Sequence, residues 1–137
     1  RIDPDTVQEI ATEDVGKAIA CICMDTGSNI LYGTWGVMGS FLEGGVIALD
    51  GTTLSQTGYI DLMIRSDDLC HVPVLDQLYV EVCNGFFDYD IVVLDLPGLT
   101  PSSEMDITPG VVSITSDAGG NRVFCSIQAN NETDNGF

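Results

Sequence analysis

Short apolar runs broken by Gly, Pro, Asn and Asp recur along almost the whole chain, at a spacing that suits strands and not helices. From Val15 onward they are Val15 to Met24, Ile30 to Met38, Phe41 to Leu49, Thr52 to Thr57 and Tyr59 to Arg65. Leu78 to Cys83, Phe86 to Leu96, Val111 to Ser116 and Arg122 to Ala129 continue the series. The pattern predicts about nine strands and no long helix. Asp50-Gly51 and Asn84-Gly85 are the strongest hairpin signals, because both central residues of a type I′ turn need positive φ. They are expected to join Gly45–Leu49 to Thr52–Gln56, and Leu78–Cys83 to Phe86–Ile91. Asp25 to Ser28 and Asp117 to Asn121 read as looser hairpin loops, and Pro97-Gly98, Pro101-Ser102-Ser103 and Pro109-Gly110 as an irregular linker. The fold expected is all-β, an antiparallel β-sandwich of Ig-like or jelly-roll-like type with an N-terminal arm.

Three regions follow from the same pattern: an acidic arm over residues 1–15, a β domain over 16–129 and a polar tail over 130–137. The arm opens with Asp3-Pro4-Asp5, which suits a helix start, while Thr6 to Thr12 suits an extended edge strand, and the two readings stand equal. From Ala18 to Met24 both alternating sets are apolar: Ala18, Ala20, Ile22 and Met24 on one side, Ile19, Cys21 and Cys23 on the other. A sheet in a monomeric sandwich normally wets one face. Such strands are covered either by loops of their own chain or by another subunit.

The length of 137 residues bounds the chain to one domain of ordinary size, and 45% hydrophobic residues are those of a packed globule rather than of an acidic disordered segment. Four Lys plus Arg against 21 Asp plus Glu give a net charge of −17. Nucleic-acid binding and docking on anionic membranes need basic residues, and Arg1, Lys17, Arg65 and Arg122 are few and scattered. No run reaches the roughly 18 apolar residues of a membrane helix, so membrane insertion is not expected. High-salt habitat is a further reading of the acidity, which concerns environment and not activity.

Cys21, Cys23, Cys70, Cys83 and Cys125, together with a single Lys and the sequon Asn131-Glu132-Thr133, point to an exported chain with disulfides and one cysteine left over. The spacing chooses no pairing. Asn131 is the candidate glycosylation site. Asp88 and Asp90 share one face of a strand, the geometry in which two carboxylates hold calcium, the one cofactor left open. Cys70-His71 resembles a nucleophile and base only by adjacency, and neighbours in extended chain point apart, so it reads as a disulfide beside an exposed His. Tyr32, Trp35, Tyr59, Tyr79, Tyr89 and Phe86-Phe87 are expected mainly in the core. His71 is the only histidine, and no phosphate, dinucleotide or nucleophile-elbow motif occurs, so no catalytic residue is named.

The function expected from these features is a non-enzymatic extracellular or cell-surface structural protein, a homo-oligomer or polymer. Its arm, with Val7 and Ile10 on the assembly face, completes a neighbour's sheet. The alternative is a secreted monomeric module that binds carbohydrate or calcium.

Overall fold

β-Branched and aromatic residues favour the extended backbone of a pleated, half-buried surface. The structure, a computed structural model, describes residues 2–3, 8–9, 14–37, 39–85, 88–107, 111–117, 119 and 122–127, and most of these residues lie in antiparallel ladders. β1 (Ile2–Asp3) and β2 (Gln8–Glu9) pair with each other. β3 (Ile19–Asp25), β4 (Ile30–Gly36), β5 (Gly44–Asp50) and β6 (Gln56–Asp61) form sheet I in that order. β7 (Arg65–Val72), β8 (Gln77–Gly85), β9 (Asp88–Asp95) and β10 (Thr100–Asp106) form sheet II, again with chain neighbours side by side. β11 (Val111–Ser116) and β12 (Val123–Ile127) make a separate hairpin. Both four-stranded sheets are therefore meanders, without the crossovers that mark Ig-like and jelly-roll strand orders. No helix among the described residues is long and apolar enough to cross a membrane.

The all-β expectation holds, with two corrections to the strand list. Among the described residues, ten strands longer than two residues are present instead of nine, because Arg65–Val72 and Thr100–Asp106 are strands. The expected strand Thr52–Thr57 is turn and irregular backbone as far as Ser55, and β6 begins only at Gln56. The Asp50 carboxylate explains this: it accepts the N–H groups of Thr52 at 2.9 Å and Thr53 at 2.7 Å, widening the turn beyond two residues. At the other hairpin, pairing runs on to Gly85↔Asp88, so Asn84-Gly85 belongs to the strand and not to the turn. At the N-terminus, the described residues form a strand pair rather than a helix, and they pair within their own chain.

Period-two alternation directs one face of each sheet inward. Tyr32, Val46 and Ala48 of sheet I meet Leu69, Leu78, Val80, Val82 and Leu94 of sheet II in one core, with Leu99 added from the turn before β10. Each such side chain, fully buried, contributes roughly 1.5–3 kcal/mol. The chain crosses between sheets at Leu62 to Ile64, where Gly44 lies so close that a Cβ there would sit 2.3 Å from the Ile64 carbonyl oxygen. β7 lies against β3, β4 and β5 of sheet I and also against β11.

Candidate functional site

The outer face of sheet I is built from rows of cross-strand neighbours. Ile22, Gly33, Ile47 and Tyr59 form one row, and Met24, Leu31 and Leu49 the next. Gly33 carries no side chain, and Ile19 fills the space above it. Ile47 is thereby buried, yet Ile22 remains 59% exposed, with Ile19, Met24 and Tyr59 also exposed around it. Between Ile22, Met24, Asn29, Leu31, Gly51 and Leu54 runs an apolar groove of about 390 Å³. At one end of this face the Trp35 and Tyr59 rings stack 5.8 Å apart, and the Lys17 ammonium lies 3.8 Å over the Trp35 ring. Trp35 is buried, so of this pair only Tyr59 offers an exposed ring. As expected, Cys21 and Cys23 pack against the main core while Ile22 and Met24 face outward, but the bulge between Ile19 and Cys21 moves Ile19 from the expected side of Cys21 and Cys23 to the outer face over Gly33, and the described residues cover that face incompletely.

A second constellation lies on the outer face of sheet II. Asp68, Glu81, Ile91 and Met105 form a row across β7, β8, β9 and β10. The β11–β12 hairpin lies against β7 and β8, where Ile114, Val123 and Cys125 pack with Cys70, Tyr79, Tyr89 and Ile91. Asp68 fastens the hairpin: its carboxylate accepts the Ser113 hydroxyl at 2.8 Å and the Ile114 N–H at 3.0 Å, while the Ser116 hydroxyl donates to the His71 carbonyl at 2.7 Å. Burial pushes the Asp68 carboxyl up, but these bonds, the Cys21 thiol and the Leu69 N–H outweigh it and hold the group below its ordinary value. Glu81 stands directly opposite Asp68 and is only 3% exposed. Burial pushes Glu81 up to about 7, the carboxylates of Asp68 and Asp67 add to that push, and Arg65 opposes it. Arg65 is itself engaged, its Nε lying 2.9 Å from both Asp67 carboxylate oxygens.

The disulfide expectation is corrected: Cys21, Cys23, Cys70, Cys83 and Cys125 are all free. They act as small apolar side chains, Cys21 and Cys23 against the main core, and Cys70 of β7 together with Cys125 of β12 in the cluster between sheet II and the hairpin. Desolvation raises the Cys23 and Cys70 thiols to about 12 each, so neither is a ready nucleophile. His71, expected to be exposed, is buried, with Nδ1 3.9 Å from an Asp25 carboxylate oxygen and Nε2 without a partner. Burial pushes Asp25 up, yet the Ser28 hydroxyl, the N–H groups of Gly27 and Ser28, and His71 together hold it low.

Asp88 and Asp90 both lie on β9; Asp90 is buried and accepts a bond from the Asn84 amide. Among the described residues no group of three or more His, Cys, Asp or Glu side chains is placed to hold a metal. Val7, Ile10 and Asn131 lie outside the described residues. Sequence reasoning gave Glu81 no role, although its place between Val80 and Val82 marks it as facing away from the core. Comparison of the chain with protein-family models and with curated proteins finds no match.

Proposed function

We propose that this chain is a non-enzymatic structural protein of the cell exterior that assembles with copies of itself into a filament, pilus-like fibre or coat. In this reading the two sheets are the layers of a β-sandwich, and the outer face of sheet I is the contact surface. The observation that carries it is the cluster of exposed Ile19, Ile22, Met24 and Tyr59 on one sheet face. Single exposed apolar residues are ordinary, whereas a contiguous group rimmed by polar residues marks an interaction site. The arm over residues 1–15 is the element that completes a neighbour's sheet edge, and head-to-tail contacts of that kind give open filaments. The net charge of −17 opposes close approach, so assembly strengthens as salt or divalent cations screen it.

Sedimentation and negative-stain microscopy of the full chain test this, with Ile22→Lys and a deletion of residues 1–15 alongside. Assembled wild type, and single-chain mass for Ile22→Lys with the fold retained, is the result expected. A wild type that stays at single-chain mass in moderate salt would sink the reading. In that case the exposed Tyr59 ring favours the monomeric alternative, a module binding carbohydrate, and Tyr59→Ala then weakens glycan binding.

A further inference from the structure

The β11–β12 hairpin belongs to neither four-stranded sheet. Two strands alone are marginal in water, so its position depends on what it packs against. Among its described side chains, Ile114 is the apolar one that is buried, with Cys70 and Ile91, while Val123 and Cys125 are partly buried beside it. Its polar attachments are the bonds to Asp68 and the Ser116 bond to the His71 carbonyl. Beside these attachments stands the carboxyl of Glu81, directly opposite Asp68 in the ladder. Like charges at directly opposed positions destabilise a sheet, and burial removes the water that would screen them.

We propose that the hairpin is a proton-controlled cover on sheet II: it stays docked while Glu81 is protonated, and ionisation of Glu81 undocks it and bares Tyr79, Tyr89 and Ile91. The groups around Glu81 decide the direction. β7 presents Asp67, Asp68 and Arg65, β9 presents Tyr89, and β12 presents Cys125. From β11 the neighbours of this acidic pair are neutral, the Ser113 hydroxyl and the Ile114 N–H, both bound to Asp68. Arg65 is the one cation in the group, and Asp67 holds it. An ionised Glu81 therefore meets net negative charge in the docked state and water in the undocked state. The folded carboxyl sits at about 7 against 4.5 for an ordinary Glu, so docking is complete below the lower value and is lost as pH rises through the higher.

Hydrogen exchange read by mass spectrometry, corrected for the intrinsic pH dependence of exchange, tests the cover on the full chain at pH 5 and pH 8. Protection of residues 111–127 should fall by roughly 50-fold between the two, from the linkage of one carboxyl between those pKa values. Residues 30–50, in the middle of sheet I, serve as the internal reference and should keep their protection. Glu81→Gln, and Glu81→Met should the first variant fold poorly, should keep the hairpin protected at both pH values. Equal protection of the wild-type hairpin at pH 5 and pH 8 overturns the proposal, as does a fall that persists in the variants. A fall shared equally by residues 30–50 overturns it too, since the whole fold would then be loosening. The readout does not depend on self-assembly and is repeated at two protein concentrations to keep the two apart.

Discussion

Replacing Gly44 by alanine puts a methyl group where the chain crosses from sheet I to sheet II. The new Cβ would lie 2.3 Å from the Ile64 carbonyl oxygen, 2.7 Å from the Arg65 Cα and 2.8 Å from the Ser66 nitrogen. All three are backbone atoms, so no side chain can rotate away and the two sheets must separate locally. Overpacking of this kind costs about 1–3 kcal/mol, and backbone on every side places Gly44→Ala at about 3 kcal/mol. Urea unfolding measures it: with a slope near 1.5 kcal/mol per molar, the midpoint should drop by about 2 M at unchanged slope. Gly85→Ala is the control, because a Cβ there meets nothing within 4 Å among the described residues. It should be neutral or stabilise by up to about 1 kcal/mol, through the lost freedom of the unfolded chain. A Gly44→Ala midpoint equal to wild type, or a Gly85→Ala loss of the same size, would refute the close-approach argument.

Alkylation in denaturant without reductant should label all five cysteines, whereas a mass consistent with only one labelled thiol would restore the two-disulfide reading. Under native conditions Cys23 and Cys70, both raised to about 12 by burial, should react far more slowly than an unfolded thiol. For overall stability, Glu81 is raised from 4.5 to about 7 in the fold, so its contribution is present below 4.5 and lost as pH rises through 7. The loss is on the order of 3 kcal/mol at most, and denaturant unfolding of wild type against Glu81→Gln should show the slope only in wild type. Asp25 and Asp68 are lowered from 3.8 and have the opposite sign, their stabilisation being lost as pH falls below that value.

The alternation of apolar residues made most of the strands legible, and it also showed that Ala18 to Met24 has no polar face. Two strands escaped for physical reasons that lie elsewhere in the chain. β7 contains Ser66-Asp67-Asp68, which reads as a turn, yet a bulge there lets Asp67 clasp Arg65 while Asp68 receives β11. β10 contains Pro101 and two serines and is exposed along its length, a composition that only an edge strand tolerates. The cysteines suggest export chemistry in the sequence because their number and spacing say nothing of which partners come within reach.

By itself the sequence determined the all-β class, the antiparallel hairpins and the net charge of −17, since each follows from local period, turn chemistry or counting. Only the tertiary structure decided which apolar face of β3 meets sheet II and which is left toward solvent, because two apolar faces look alike in a period-two pattern. The same holds for Glu81. Its strand position gives an outward-facing acid, and it is buried on a face of sheet II against which a hairpin beginning thirty residues later in the chain packs.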